Sequence, residues 1–229
     1  GTSNLEDFKK INQYPLKSHF ENLTTDFNDI TKFKKYYHKS QDIINLDNKI
    51  KLLKTHNALL NVDGDNFSST KNTLGVIHIV RDPRNVVTSL AHHYNLSIDQ
   101  ATDVMIDKNR LMDKTPKNCR VFLGSWNFNY NSWKNLKDKN KFLLIKYEDL
   151  INNKDIFLHK ILKFIHDLNG TELKIDQKKF NNVVETTSFE RMKNLETTKG
   201  FFEATIDSKT GKKIPFFNLG DKNDWKQFL

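Results

Sequence analysis

Three apolar runs along the chain have the pattern of buried β-strands. They are KIKLLKTH (Lys49–His56), LGVIHIV (Leu74–Val80) and KFLLIKYEDL (Lys141–Leu150). The second run is β-branched and lacks strict alternation of polar and apolar positions, which is typical of a strand covered on both faces of a parallel sheet. The other two runs end in polar residues, and we predict them as strands of the same α/β fold.

Segments with helical periodicity surround these strands. Helices are predicted within 4–14, 26–46, 97–108, 119–137, 155–168, 177–186 and 188–196, in a segment that begins at Pro83, and in a short turn around Trp225. Local signals mark several of their ends. Asp82 and Ser188 can cap the helices that follow them, and Gly170 can end another. Ser97 with Gln100 has the spacing of a capping box.

Strands that alternate with helices predict a parallel sheet with helices on both faces. The length suits one such domain, so we expect residues 1–229 to form a single three-layer α/β domain. Ligands of these sheets collect at the carboxyl ends of the strands. Polar clusters lie at three predicted strand ends: Lys54-Thr55-His56, Arg81-Asp82 and Tyr147-Glu148. These clusters mark the expected site.

The charge balance favours an anionic partner. The 229 residues hold 37 Lys plus Arg against 28 Asp plus Glu, a formal net charge of +9. The lysines are scattered and form no dense basic run, so we expect an acidic small molecule rather than nucleic acid. The single cysteine, Cys119, cannot form an internal disulfide, and no apolar run reaches the length of a membrane span. A cytoplasmic protein without a transmembrane segment is predicted.

Arg81 is the first candidate for binding an anion. It stands where a strand ends and a helix begins, so its guanidinium and the free N–H groups of the helix could hold a phosphate together. Ser89 lies eight residues later and is expected to join such a site only if the loop folds back over the helix. By spacing alone, a surface ion pair of Arg81 or Arg84 with a nearby aspartate is the more common outcome.

His56 is the first candidate for proton transfer. The charge of neighbouring Lys54 lowers the pKa of an imidazole and leaves it neutral at pH 7, the form that accepts a proton. A purely structural histidine is the alternative. His92 and His93 point about 100° apart on a helix, and no carboxylate or cysteine stands at ligand spacing, so no metal site is expected.

Five ordered segments, from about residue 50 to the C-terminus, resemble the sulfotransferase family. They are KTHNAL from Lys54, IVRDPRNVVTSLAHHY from Ile79, LLIKYEDL from Leu143, TTSFERMKNLE from Thr186 and GDKNDWK from Gly220. The resemblance implies a P-loop NTPase-like α/β fold. It also implies transfer of a sulfuryl group from 3′-phosphoadenosine 5′-phosphosulfate (PAPS) to a hydroxyl or amine acceptor. Adenosine 3′,5′-bisphosphate (PAP) is then the product.

The resemblance implies roles in the reaction and in phosphate binding for four residues. His56 corresponds to the catalytic base of the family, and Lys54 lines the reaction site beside it. Arg81 and Ser89 correspond to the pair that binds the 3′-phosphate. No metal is required by this chemistry.

The resemblance implies further nucleotide contacts for five other residues, four of them near the base. Tyr147 corresponds to a tyrosine that approaches the adenine. Thr187, Ser188 and Phe189 correspond to the stretch that packs around the base. Gly220 belongs to the C-terminal segment that grips the 3′-phosphate in the family.

Two features depart from the family pattern. The Pro-Lys-x-Gly-Thr-Thr-Trp loop, which cradles the 5′-phosphosulfate and supplies a catalytic lysine, is not found, so we expect a truncated chain that begins after the first strand and its loop. The usual Arg-Lys-Gly near the C-terminus reads Asn218-Leu219-Gly220. The loss of two cations predicts weaker 3′-phosphate binding unless another lysine, such as Lys222, substitutes.

Other functions stay open at this point. A non-catalytic descendant of the fold could bind a nucleotide or a partner. A P-loop phosphotransferase needs a Gly-rich phosphate loop, which the sequence lacks, and a nucleic-acid-binding protein would show salt-sensitive binding. The acceptor is not readable, since small-molecule, glycan and lipid acceptors all fit, and the sequence does not indicate an oligomeric state.

Overall fold

The computed structural model describes residues 12–27, 29–113, 115–134, 141–207 and 209–229. The chain divides into two compact units. The first unit contains Ile79–Met105 and Leu144–Leu229, and the second contains residues 12–78 and 106–143. That residues 1–229 form a single domain stays a prediction.

Eight of the nine helices within the described residues follow the segments predicted from the sequence, and the helix Tyr147–Asn152, at the end of the third apolar run, was not predicted. The helix bounds are α1 Ile30–Phe33, α2 Tyr37–Ile44, α3 Pro83–Tyr94, α4 Ile98–Ile106, α5 Trp126–Lys134, α6 Tyr147–Asn152, α7 Lys154–Asn169, α8 Gln177–Thr186 and α9 Phe189–Lys199. Short 3-10 turns lie at Lys17–Phe20, Lys34–Tyr36, Asn45–Asp47, Gly220–Lys222 and Trp225–Gln227. The helix predicted within 4–14 falls mostly outside the described residues.

The predicted helix caps are confirmed in three of four cases. The Asp82 carboxylate accepts a hydrogen bond from the backbone N–H of Arg84 at the start of α3. The Ser97 hydroxyl accepts from the N–H of Gln100, whose amide oxygen accepts from the N–H of Ser97. Gly170 ends α7 at a φ of 64°. The residue before α9 is Ser188, as predicted, but its side chain makes no capping hydrogen bond.

The strands are β1 Asn61–Val62, β2 Asp65–Asn66, β3 Val76–Val80, β4 Leu111–Met112, β5 Val121–Phe122, β6 Phe142–Lys146, β7 Thr205–Ile206 and β8 Lys213–Ile214. β3 and β6 are neighbours in one sheet, which confirms strands at the second and third apolar runs. The burial expected for them is wrong, because Ile79 is 50% exposed and Ile145 is the one buried residue of the two strands. The pairs β1–β2, β4–β5 and β7–β8 are short antiparallel ladders.

The strand predicted at 49–56 is wrong. Residues 49–53 have no regular secondary structure, and Lys54 contributes one isolated bridge among the described residues. The Lys51 ammonium instead donates to the carbonyl of Ile44 at 2.6 Å, which ties the segment to the end of α2. Ile50 and Leu52 are consequently exposed. An apolar run becomes a strand only where a neighbouring strand pairs with its backbone.

The helix predicted over 119–137 starts later than expected. Residues 121 and 122 form β5, which pairs with β4, and the helix begins at Trp126. Gly124 explains the boundary, because its φ of 63° lies in the left-handed region and interrupts a right-handed helix. Trp126 and Trp133, which are seven residues apart, both lie on α5.

The core of the second unit is aromatic. Its buried members are Tyr14, Phe20, Phe33, Tyr37, Phe67, Cys119 and Trp133. The Tyr14 hydroxyl lies 2.6 Å from the Ser40 Oγ and donates to the Tyr37 carbonyl at 3.1 Å, so the buried phenol has polar partners. Several of these rings meet edge-on, and the large apolar area that they bury stabilises this core.

In the first unit, Met192 and Phe201 form a buried cluster that Phe217 packs against. Glu196 is buried beside it, and its carboxylate accepts hydrogen bonds from the backbone N–H groups of Phe216 and Phe217, both at 2.8 Å. This carboxylate fixes the chain segment that leads to Gly220. Within the described residues, no helix is both long enough and apolar enough to cross a membrane.

Candidate functional site

Arg81 lies directly after β3 and is the centre of a cluster in the first unit. Its Nη1 donates to the Ser89 Oγ at 3.1 Å, and its Nη2 donates to the carbonyl of Gly220 at 2.8 Å. The guanidinium carbon lies 4.6 Å from the ring centroid of Tyr147, and Nε lies 3.6 Å from a carboxylate oxygen of Glu148. One arginine therefore joins the ends of both long strands to the C-terminal segment.

Ser89 belongs to this cluster through its hydrogen bond with Arg81. It lies on α3, two turns after the helix start, and the long Arg81 side chain spans the gap to its hydroxyl. The surface ion pair is also present, but it belongs to a different arginine. Arg84 binds Asp82 through Nε at 2.9 Å and Nη2 at 2.6 Å, which leaves Arg81 for the cluster.

Tyr147 is the first residue of α6, immediately after β6, and its side chain is partly buried. Burial raises the pKa of its phenol, while the nearby Arg81 charge acts in the opposite direction. The ring is therefore neutral at pH 7 and presents a flat face to the guanidinium.

Thr187 and Ser188 form the turn between α8 and α9, and Phe189 begins α9. The ammonium of Lys154, the first residue of α7, donates to the Thr187 carbonyl at 2.7 Å and so holds this turn. The Thr187 hydroxyl donates to the carbonyl of Val183. Among the described residues, no hydrogen bond links Ser188 to Arg81, whereas Phe189 lies against Gly220, whose carbonyl accepts from Arg81.

Gly220 allows a close approach to Phe189. Its φ is 60°, and a Cβ placed there would lie 2.7 Å from the nearest atom of the Phe189 ring. The ring packs flush against the Gly220 backbone, whose carbonyl accepts from Arg81. Phe189 also meets Phe217 edge-on, with centroids 6.0 Å apart.

We expect Gly220→Ala to destabilise the protein by about 1–3 kcal/mol more than Gly211→Ala, because only the first change drives a methyl group into an aromatic ring. Both glycines have positive φ, but nothing lies within 4 Å of a Cβ built at Gly211. Urea unfolding of the two variants measures the difference. Equal losses would mean that Phe189 moves aside without cost.

His56 and Lys54 lie in the second unit, on a segment fixed by its backbone. The N–H of Lys54 donates to the Asn12 carbonyl at 2.8 Å. The Asn129 amide donates to the carbonyl of His56 at 3.2 Å. The next residue, Asn57, is fully buried, and its side-chain oxygen accepts from the N–H of Phe122. These bonds hold the backbone at His56 while both side chains keep exposed surface.

The His56 imidazole has a low basicity. Surrounding protein atoms remove part of its water, and this desolvation, followed by the charges of Lys54 and Arg110, lowers its pKa to about 4. The ring is therefore neutral at pH 7 and has a lone pair to accept a proton. The lowering by Lys54 was predicted from the sequence; the larger effect of desolvation and the contribution of Arg110 were not.

The same shift predicts a pH dependence of stability. The unfolded chain protonates His56 near the ordinary pKa of 6.5, whereas the folded protein does so only near pH 4. The unfolded state therefore binds more protons as pH falls through this window, and stability is lost. We expect the urea midpoint of the wild type to fall more between pH 7 and pH 5 than that of His56→Gln. An equal fall in both proteins would contradict the shift.

His92 and His93 have structural contacts. The Nε2 of His92 lies 3.2 Å from the carbonyl of Pro215, and the ring of His93 meets Tyr94 and Phe216 edge-on. Across the part of the chain that the structure describes, no group of three or more His, Cys, Asp or Glu residues is placed to hold a metal ion.

A buried polar network behind Ser89 was missed by the sequence analysis. The Asn223 amide donates to the Ser89 Oγ at 3.0 Å and to the Asn85 carbonyl at 2.9 Å, and it accepts from the Thr88 hydroxyl at 2.8 Å. The Asn85 side chain in turn accepts from the N–H of Trp225. A signal was present, since Asn85 and Thr88 share the inner face of α3 with buried Val87 and Ala91, and polar residues there need partners.

Sequence comparison places these residues in a known family. The family described as "Sulfotransferase domain" matches residues 3–229. The chain is similar to 3-beta-hydroxysteroid sulfotransferase of Cavia porcellus, with 26% identity over 154 residues, 66% of this chain and 49% of that protein. It is also similar to sulfotransferase 1A1 of Rattus norvegicus, with 28% identity over 180 residues, 77% of this chain and 56% of that protein. The chain thus spans about half the length of the curated relatives it matches.

Solved structures show the same fold. Retinol dehydratase in complex with androsterone and the inactive cofactor PAP superposes with a TM-score of 0.53 at 16% identity, over 93% of this chain and 60% of that one. Its complex with retinol and PAP also gives 0.53 at 16% identity, over 90% and 58%. The α/β sulfotransferase fold predicted from the sequence is confirmed, and the chain belongs to the sulfotransferase family.

Proposed function

We propose that this protein is a transferase that moves a sulfuryl group from PAPS to a hydroxyl or amine acceptor. Family membership supports the reaction class. The observation that carries the proposal is the position of the Arg81 guanidinium. It bonds to Ser89 and the Gly220 carbonyl and lies over the Tyr147 ring within the first unit. These are the residues that the resemblance assigns to nucleotide binding.

The cluster around Arg81 fits a phosphorylated nucleotide. One N–H of Nη1 and one of Nη2 bond to Ser89 and Gly220, and the buried Nε faces a Glu148 carboxylate oxygen at 3.6 Å. Arginine carries five N–H donors, so donors remain for phosphate oxygens. We propose that Arg81 and Ser89 bind the 3′-phosphate, and that Gly220 holds the Arg81 side chain in place.

The aromatic residues of the first unit fit a purine. We propose that Tyr147 and Phe189 present ring faces or edges to the adenine, with Thr187 and Ser188 forming the turn beside it. The Lys154 bond to the Thr187 carbonyl and the Gly220 contact support this role, because they fix the start of α9. Preorganised side chains lose less entropy when a ligand binds.

When bound, PAPS supplies the sulfuryl group as an activated phosphosulfate anhydride. We propose that neutral His56 takes the proton from the acceptor, because its lowered pKa keeps the lone pair available at pH 7. Lys54 carries a positive charge two residues away and is suited to stabilise negative charge that develops during transfer. Both side chains keep exposed surface that a substrate can reach.

Isothermal titration calorimetry tests the nucleotide part of the proposal. PAP is expected to bind the protein more tightly than adenosine 5′-phosphate, because only PAP offers a 3′-phosphate to Arg81. Equal affinities, or no binding of PAP, would contradict the assignment. Binding of PAP without release of PAP from PAPS in the presence of acceptors would favour a non-catalytic binding protein.

For the acceptor, we propose a chemical class and no individual molecule. Small molecules with a hydroxyl or amine group are expected, and a panel that also contains glycan and lipid alcohols distinguishes among them. A cytoplasmic location stays a prediction that rests on Cys119, which is buried and forms no disulfide.

A further inference from the structure

Asn223 has an unusually complete set of hydrogen bonds for a residue near the C-terminus. It follows the 3-10 turn at Gly220–Lys222, and only 5% of its surface is exposed. Both hydrogens of its amide nitrogen are used, one on the Asn85 carbonyl and one on the Ser89 Oγ. Its oxygen accepts from the Thr88 hydroxyl. A buried amide satisfied on both ends has one stable orientation.

The orientation of the amide follows from its neighbours. A flipped amide would place the Asn223 oxygen 2.9 Å from the Asn85 carbonyl oxygen, where two acceptors repel each other. The Asn223 nitrogen must therefore face Asn85 and Ser89.

This nitrogen controls what the Ser89 hydroxyl can do. A serine inside a helix commonly donates its proton to the carbonyl four residues earlier, which for Ser89 is that of Asn85. That carbonyl already accepts from Asn223 and lies 3.0 Å from the Thr88 hydroxyl. The usual acceptor of the Ser89 proton is thus occupied.

The acceptor side of Ser89 is occupied as well. Its oxygen accepts from Arg81 Nη1 at 3.1 Å and from Asn223 Nδ2 at 3.0 Å. A hydroxyl has two acceptor sites and one proton. Both acceptor sites are filled, and the Ser89 hydroxyl donates to none of the described residues.

We propose that Asn223 is a positioning residue that makes the Ser89 hydroxyl a dedicated donor to a bound phosphate. The inference rests on the proposed binding of a 3′-phosphate by Arg81 and Ser89. It adds a residue that does not touch the ligand: Asn223 blocks the internal acceptor and orients the hydroxyl, so that the one free proton of Ser89 points away from the protein's own carbonyls.

Calorimetry on Asn223→Ala tests the inference with two nucleotides. We expect PAP to bind this variant about 10-fold more weakly than the wild type, because the Ser89 proton can then turn to the Asn85 carbonyl. Adenosine 5′-phosphate, which lacks the 3′-phosphate, is expected to bind both proteins equally. In a Ser89→Ala background, Asn223→Ala should cause no further loss, since the two changes remove the same interaction.

The outcomes separate this inference from the proposed function. If the wild type does not prefer PAP over adenosine 5′-phosphate, the proposed function fails. If it does, but Asn223→Ala binds PAP normally or weakens both nucleotides alike, the positioning role is overturned. If the alanine variant does not fold, Asn223→Ser decides, because its single hydroxyl proton cannot bond to both the Asn85 carbonyl and the Ser89 Oγ. Unchanged PAP affinity in that variant would also overturn the role.

Discussion

Replacing His56 with alanine is expected to lower the rate of sulfuryl transfer by about 100- to 10,000-fold, the range that general-base catalysis contributes. PAP affinity should stay within about twofold of the wild type, since His56 is proposed to contact the acceptor and not the nucleotide. The measurement is release of PAP from PAPS with a panel of hydroxyl-bearing acceptors, together with calorimetric titration of PAP.

His92→Ala is the matched control for this experiment. His92 is also a partly accessible histidine, but it lies on α3 beside the Pro215 carbonyl and has no role in the proposed reaction. Its loss should leave the rate within about twofold. A His56→Ala variant that loses PAP binding together with turnover would argue for a structural histidine. A variant that keeps full turnover would remove His56 from the mechanism.

A pH profile adds a second test of the base. Because desolvation and nearby cations lower the pKa of His56, the acidic limb of kcat/KM should lie below the ordinary histidine value of 6.5. Protonation below that limb removes the lone pair and the activity with it. A limb at or above 6.5 would mean that another group is the base.

The elements that the sequence predicted well are specified by neighbours in the chain. Asp82 caps α3 through an N–H two residues later, Ser97 and Gln100 bond across three residues, and Gly170 adopts the left-handed backbone that ends α7. In each case the interaction partners lie within one helical turn. Helix ends of this kind can be predicted from a single sequence because they do not depend on a distant segment.

Several features that the sequence did not predict depend on contacts with other segments of the chain. The run at 49–56 has strand-like residues, but pairing depends on a distant neighbour, and the bond from Lys51 to Ile44 fixes the segment otherwise. Asn57 bonds to the N–H of Phe122, 65 residues away. Asn223 meets Ser89 across 134 residues. No local pattern encodes such contacts, so they required the structure.

The sequence predicted some residues of the candidate site but not the contacts between distant ones. Arg81 and Ser89 were identified by their place in a family motif, yet the Gly220 carbonyl as a partner of Arg81 was not anticipated. Asn218 and Leu219 stand where the family pattern has two cations. The Lys193 ammonium donates to the Asn218 carbonyl at 2.7 Å and so places one positive charge beside this segment. Lys222, the substitute suggested by the sequence, is exposed.

Arg81→Ala is expected to weaken PAP binding by about 100-fold. The change removes charge-assisted hydrogen bonds to the phosphate, each of which contributes about 1.5–3 kcal/mol. It also releases Ser89 and the Gly220 carbonyl, which the guanidinium now holds together. Arg81→Lys keeps the charge but has no planar fork to bond to both partners, so an intermediate loss of about 10-fold is expected.

Arg191→Ala provides the matched control, because it removes the same charge from an exposed position on α9 in the same unit. Its PAP affinity should stay within about twofold of the wild type. Urea midpoints show whether each variant folds, and titration of adenosine 5′-phosphate separates phosphate binding from a general loss of structure. If Arg81→Ala and Arg191→Ala bind PAP equally well, Arg81 does not bind the 3′-phosphate, since a direct ligand contact cannot be removed without loss of affinity.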